Sequence, residues 1–348
     1  MGKIAIVIFN DLKYCPYASF YAETFNAHGI DFDIISLSRT LSNNDPLSLK
    51  WKGDFSILSK ITNFIRYKNF LKKKLPNYNF VIVLTTIPAV LMKLFLIKHF
   101  RNKYLVDIRD YTYEHNRIFK YLESKVLRFS ALNFVSSPDF VKFLPKGIKY
   151  ELIHNSNYSS SFDSKTLNHA RDIIKIGYIG SINYFDQLAL FCEKFANNKN
   201  IELHFYGNDL TNKLLDLLNK LNSDNIFYHG EYEPNEKPKI INSVDVLFNA
   251  YGNKTTLFKY AISNKYYDFL RYGKPLIVSS NTTMEKLSYP YCFSFNFDNQ
   301  NIIDDFCCWY KNIDTDSLRT FIKQKMEEVI CQNTHAKEIL LGVIAKDD

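Results

Sequence analysis

At 348 residues the chain is long for one core and comfortable for two domains. Its 46% hydrophobic and 16% aromatic content, with only 11 Gly and 10 Pro, excludes a disordered or low-complexity protein. The formal charge of +8 is local: residues 55–106 hold ten Lys or Arg and no Asp or Glu, which is more than the whole excess. A basic region on an otherwise slightly acidic body suits an anionic surface, and without an RNA- or DNA-binding motif nucleic acid is not expected as a partner. Six scattered cysteines (Cys15, Cys192, Cys292, Cys307, Cys308, Cys331) form no C-x-x-C pair, which fits reduced thiols in a cytoplasmic protein.

The chain enters an apolar run at once, over residues 4–9, which predicts a first strand and no signal peptide. Further strand-like runs follow near 31–36, 80–84, 104–108, 131–135 and 150–153. After a polar stretch rich in Ser and Asn they resume near 173–179, 201–206, 225–228, 244–248, 275–279 and 291–295. Helical patterns alternate with them, so the fold class is α/β, with two doubly wound domains. The expected bounds are 1–156, a linker over 157–172, a second domain over 173–312 and a helical segment over 313–348. In that last segment Leu318, Phe321, Ile322, Met326, Val329 and Ile330 predict an amphipathic helix over 317–332.

Two stretches of the basic region raise a membrane question. Residues 80–97 are apolar but interrupted by Thr85, Thr86, Pro88 and Lys93, so they predict strand, loop and helix; a membrane span needs about 20 mostly apolar residues. Residues 64–75 mix large apolar side chains with cations. On a helix they would pack on the first sheet or lie in the plane of a bilayer. We expect both, with Lys72, Lys73 and Lys74 at anionic headgroups.

Polar clusters gather at the strand ends, where open α/β sheets place function. Asp107-Ile108-Arg109-Asp110 closes the run that begins at Tyr104. Asp107 and Asp110 suit sugar hydroxyls or acid–base work, and Arg109 suits a phosphate or a brace to one of those carboxylates. In the second half, Gly180-Ser181 ends a strand ahead of a helix, where phosphates can approach backbone amides. Gly207, His229-Gly230 and Asn249 follow three further strands and leave room for a base or diphosphate.

The densest signal is residues 264–279. Asn264 reads as an N-cap, Gly273 as a helix stop and Pro275 as a bar to continuation, ahead of a buried strand. Lys265 and Asp268 share a helix face, suited to a phosphate and to ribose hydroxyls, or simply to each other as a solvated pair. Among motifs, a metal constellation, a P-loop and a G-x-S-x-G elbow are all missing.

The stretch from Ser263-Asn264-Lys265 through Asp268 to Gly273-Lys274-Pro275 resembles the nucleotide-sugar signature of family 4-type, or group 1, glycosyltransferases, including bacterial capsule and O-antigen enzymes. The Asp107–Asp110 stretch resembles one found in some of them. Three departures stand out: Ser263 replaces the usual proline, Asp268 a glutamate, and Tyr260 falls where the family has another glutamate. The family's Arg and Lys are also missing from residues 181–191, leaving Lys265, Lys254 or Lys259 as the donor cation.

The resemblance implies a GT-B fold: two Rossmann-like domains facing a cleft, with a C-terminal helix crossing back. It implies a nucleotide-diphosphate sugar donor at Gly180, Ser181, Gly207, His229, Gly230, Asn249, Lys265 and Asp268, with Asp107, Arg109 and Asp110 catalytic. No metal or cofactor is expected, since the nucleotide sugar is a substrate. The implied reaction retains configuration at the sugar carbon. Its acceptor would be a glycan or a saccharide on polyprenyl diphosphate, in surface polysaccharide biosynthesis, by a protein peripheral at the inner face of the plasma membrane. A nucleotide-sugar epimerase, or an inactive donor-binding partner subunit, would share the fold and the donor site.

Overall fold

The computed structural model describes residues 2–40, 45–54, 56–156, 173–182, 185–296 and 298–345. The expected linker, 157–172, lies outside them. The chain divides into two compact units, one of residues 1–157 and 329–348, the other of 158–328.

The first unit holds seven parallel strands: β1 (Ile4–Ile8), β2 (Phe32–Ser38), β3 (Ser48–Lys50), β4 (Phe80–Leu84), β5 (Tyr104–Ile108), β6 (Leu132–Val135) and β7 (Glu151–Leu152). Their order is β3-β2-β1-β4-β5-β6-β7. Every residue of β1, β4 and β5 is buried, as expected of central strands covered by crossover helices on both faces. Strand order reverses at β1, where Ile4 lies opposite both Phe32 and Phe80. The edge strand β3 was not predicted. Its Ser-Leu-Lys carries no apolar run, and it forms only by pairing along β2, with Leu49 opposite Leu37.

The apolar residues 80–97 resolve into β4 and two short helices, Thr86–Leu91 and Lys93–His99. No helix among the described residues is long and apolar enough to cross a membrane. The helix Ile57–Lys74 buries Asn63, Tyr67 and Leu71. The Tyr67 hydroxyl lies 2.7 Å from the Ile8 carbonyl and 3.0 Å from that of Ile35, fixing the helix to β1 and β2.

The second unit holds six parallel strands: β8 (Ile174–Ile179), β9 (Ile201–Tyr206), β10 (Ile226–Tyr228), β11 (Val246–Asn249), β12 (Leu276–Ser279) and β13 (Cys292–Phe295). Their order is β10-β9-β8-β11-β12-β13, reversing between β8 and β11. Beyond their carboxyl ends lies the crevice where such sheets bind ligands.

The helix Asn264–Tyr272 starts one residue earlier than its sequence suggested. Ser263, extended at φ −80° and ψ 159°, is the N-cap and accepts the Lys265 N–H, while Asn264 is already helical. Gly273 ends the helix as expected, at φ 67° with its N–H on the Phe269 carbonyl.

The last helix runs Thr315–Ala345, well past the expected 332. Ala336, Leu340 and Ile344, spaced by four, carry it on into the first unit's core; the polar run around Gln332–Lys337 hid them. Asn333 accepts the His154 N–H at 2.8 Å and donates to the Ser156 carbonyl at 2.7 Å. The division between units therefore falls within this helix, after Glu328, rather than ahead of a separate helical segment.

Candidate functional site

The crevice of the second sheet is built around a buried cation. Lys265, in the first turn of its helix, is only 8% exposed. Its ammonium lies 4.8 Å from the centre of the Tyr178 ring and 5.1 Å from that of Tyr251, and it donates to the Tyr251 hydroxyl. Among the described residues no carboxylate lies within ion-pair distance of it. Burial pushes its pKa down, against the pull of Tyr178 and Asp268. The Ser263 hydroxyl donates to Asn249 at the end of β11 at 2.6 Å, fixing the start of this helix beside the strand end. Gly180 closes β8 on the other side, where a Cβ would lie 3.8 Å from the Lys265 ammonium. Lys265, Gly180 and Asn249 thus meet at the reversal of strand order. Ser181 follows, exposed, and its carbonyl accepts the Tyr178 hydroxyl at 2.7 Å.

In front of Tyr251 opens a pocket of about 370 Å³. Phe185, Asp186 and Gln187, from the start of the helix after β8, line one side. Tyr251, Gly252, Lys254 and Thr255, from the loop after β11, line another, with Lys213 and Phe258 completing it. Lys213 and Lys254 are exposed and form no ion pair among the described residues. Aromatic walls with two free cations and a third behind Tyr251 suit a planar base carrying phosphates. Lys254 is among the cations expected from the sequence; Lys213 is not, because it stands in no recognised motif, between the strand runs near 201–206 and 225–228. Lys259 does not line the pocket.

The other expected donor residues take different places. Gly207 is required by backbone packing: a Cβ there would lie 2.0 Å from the Gly180 carbonyl oxygen. Its N–H donates to the Gly230 carbonyl at 2.7 Å, so these two glycines join the ends of β8, β9 and β10. His229 stacks on Tyr206 with ring centres 4.2 Å apart and shares a 3.0 Å hydrogen bond with His204. None of these three lines the pocket. Asp268 does not pair with Lys265. It is bonded to Lys237, with the ammonium 2.8 Å from its carboxylate.

In the first unit, Asp107 and Arg109 are internal. The Asp107 carboxylate, 0% exposed, accepts from the Tyr21 hydroxyl at 2.7 Å and from Arg109 at 2.6 Å. Arg109 also donates to Asn155 and lies over the Tyr17 ring at 5.0 Å. This is a brace between the first helix, the end of β5 and the segment after β7. Of the three expected catalytic residues only Asp110 meets solvent. Protein crowding on its other side raises its carboxyl pKa, opposed by the Arg109 guanidinium. Nearby, at the end of β4, Thr85 adopts φ 76° and ψ 160°, a region kept almost entirely for glycine. Nothing in its sequence marks it.

Lys72 and Lys73 are exposed, whereas Lys74 folds back over the Phe70 ring at 5.7 Å. Among the described residues no group of three or more His, Cys, Asp or Glu could hold a metal ion.

Comparison with solved structures settles the architecture. Sucrose-phosphate synthase from Thermosynechococcus elongatus superposes with a TM-score of 0.74 at 10% identity, covering 99% of this chain and 100% of that one. The fold is GT-B. The HepE protein of Anabaena, solved in complex with UDP-glucose, superposes with a TM-score of 0.62 at 11% identity, covering 98% of this chain and 100% of its own. By sequence the chain is 22% identical over 156 residues to TuaH of Bacillus subtilis (strain 168), which is named as a teichuronic acid biosynthesis glycosyltransferase. That match covers 44% of this chain and 38% of TuaH, so the chain spans well under half of that relative. No family model matches the chain.

Proposed function

We propose that this GT-B protein is a glycosyltransferase that takes a nucleotide-diphosphate sugar in the second unit's pocket. The observation that carries this reading is the buried Lys265 ammonium beside Gly180, behind a pocket supplied with Lys213 and Lys254. Three cations there suit a diphosphate whose charge grows as it leaves. The acceptor is a saccharide bound by the first unit, and the TuaH match favours surface polysaccharide as its context. In a retaining reaction the acceptor oxygen bonds to the sugar carbon on the face from which the diphosphate departs. The carbon–phosphate-oxygen bond breaks, and the acceptor proton passes to the leaving diphosphate. A lipid-linked acceptor would place the protein at an anionic membrane surface, with the acid-free region 55–106 toward it.

The test has two stages. Calorimetric titration with UDP, GDP and their glucose conjugates should give saturable binding to the wild type and weaker binding to Lys265→Met. Release of nucleoside diphosphate is then followed with and without a saccharide acceptor. Release that depends on acceptor supports transfer. Conversion of the sugar without acceptor would make the chain an epimerase, and binding without turnover a donor-binding subunit.

A further inference from the structure

The first unit carries a second pocket, distinct from the donor site. It measures about 440 Å³ and lies among the helices Ile57–Lys74, Thr86–Leu91, Lys93–His99 and Arg117–Arg128. Lys68, Lys72, Lys93 and Lys98 surround it, and no carboxylate lines it. Among the described residues none of these four lysines has an ion-pair partner. Its floor is apolar, formed by the half-buried Leu91, Phe95 and Leu122, with Leu94 at the rim. Leu94 is itself 74% exposed, an unusual setting for a leucine beside a cavity.

The pocket continues into an exposed apolar stripe. On the helix Ile57–Lys74, Ile57, Ile61, Ile65, Lys68 and Lys72 follow one another at spacings of three or four, so they share one face. Leu58 borders that face. The buried Asn63, Tyr67 and Leu71 lie on a separate face, about a third of a turn round the helix. Ile57 and Leu58 are 76% and 78% exposed, and Ile61 and Ile65 half exposed. A globular surface gains nothing from four such residues in a row beside four unpaired lysines. An apolar chain under an anionic group satisfies both.

We propose that this pocket binds the phosphate headgroup of an anionic lipid held in a bilayer. The lysines contact the phosphate, the floor meets the upper acyl chain, and the stripe from Ile57 to Ile65 enters the interface. The pocket rests on the membrane placement proposed above and is independent of the transfer reaction.

Co-sedimentation with vesicles of phosphatidylcholine, alone or mixed with phosphatidylglycerol, tests it. The wild type should bind only the mixed vesicles. Lys68→Gln with Lys98→Gln should weaken binding at least about tenfold more than Lys60→Gln with Lys73→Gln, which removes equal charge outside the pocket. Ile61→Ser with Ile65→Ser should also lower binding, with the protein still folded since both side chains are only half buried. Equal losses from the two lysine pairs would overturn the pocket while leaving a generic membrane face. No binding of the wild type would overturn both. Saturable binding of inorganic phosphate at matched ionic strength, with the same affinity as the vesicles, would overturn a lipid as the occupant.

Discussion

Replacing Lys265 with Met should make the protein more stable and less able to bind nucleotide. The ammonium is buried with no carboxylate partner among the described residues, and taking a charge out of water costs several kcal/mol. The Tyr178 face returns roughly 0.5–2 kcal/mol, and the charged hydrogen bond to the Tyr251 hydroxyl about 1.5–3 kcal/mol. A methionine of similar reach keeps the packing without the charge, so a gain of about 1–2 kcal/mol is expected, or a rise of roughly 2–8 °C in the melting of the second unit. The folded-state pKa of Lys265 is depressed, so the cost is present while the ammonium is charged and disappears at alkaline pH. The gain should therefore shrink as pH rises. Binding moves the other way. Losing a charged contact to phosphate removes about 1.5–3 kcal/mol, a drop of about ten- to 150-fold in affinity for UDP or GDP, whichever the wild type takes. Melting curves across pH and calorimetric titration of both proteins measure the two effects. A folded variant that melts lower and binds nucleotide unchanged would show that Lys265 is an ordinary structural cation, and would refute the site.

Three further outcomes follow from single residues. The resemblance implies that the Asp268 carboxylate meets the donor ribose, although it lies outside the pocket lining and on Lys237; on that reading Asp268→Asn should lower nucleotide affinity at least about tenfold in titration, yet cost under about 1 kcal/mol of stability, because its partly exposed pair with Lys237 contributes little; unchanged affinity removes the ribose role, and Asp268→Glu should be milder. Glu123 is wholly buried, neither carboxyl oxygen has a hydrogen-bond partner among the described residues, and burial, reinforced by Glu114, pushes its pKa up to about 8. Stability tied to its protonated form is complete below the ordinary glutamate range and lost as pH rises through about 8. The stability of the wild type relative to Glu123→Gln should therefore fall by about 1.4 kcal/mol per pH unit between roughly pH 5 and 7.5, and parallel urea-unfolding profiles would exclude this. Thr85→Gly should raise the melting temperature, since relief of about 1–3 kcal/mol of backbone strain exceeds the roughly 0.5–1 kcal/mol entropic cost of glycine; an equal or lower melting point refutes the strain.

The parallel sheets were legible because covered strands leave uninterrupted apolar runs. Phe80–Leu84, Tyr104–Ile108 and Ile201–Tyr206 appear at their expected bounds. The edge strand Ser48–Lys50 and the far half of the last helix were not. The first exists only through its neighbour, and the second is cut off from the expected helix by a polar run over residues 332–338, after which Ile339, Leu340, Leu341, Val343 and Ile344 resume the apolar pattern. At the site, Lys265, Gly180 and Asn249 converge because strand ends in a doubly wound sheet must. What spacing could not reveal is which partner a side chain takes. Lys265 and Asp268 share a face, yet one turns between aromatic rings and the other to Lys237. Likewise Asp107 and Arg109 sit at a strand end but point inward, a distinction set by Tyr21 and Asn155 from distant parts of the chain.

That redistribution bears on how the donor pocket manages charge. The loop after β8, where the resemblance led us to expect an arginine and a lysine, has neither through residue 191. Positive charge instead reaches the same crevice from three other elements: Lys213 at the start of the helix after β9, Lys254 in the loop after β11, and Lys265 in the helix before β12. The first two are exposed and adjustable, whereas Lys265 is held by its tyrosines. A diphosphate would thus meet one fixed charge beside the β8 end and two that can close on it from solvent. The exposed pair is screened by salt over about 8–10 Å, whereas the buried ammonium is screened much less. Nucleotide affinity should accordingly decline with ionic strength mainly in the part that Lys213 and Lys254 contribute. The steepness of that decline should be largely kept in Lys265→Met and reduced by more than half when both exposed lysines become glutamine.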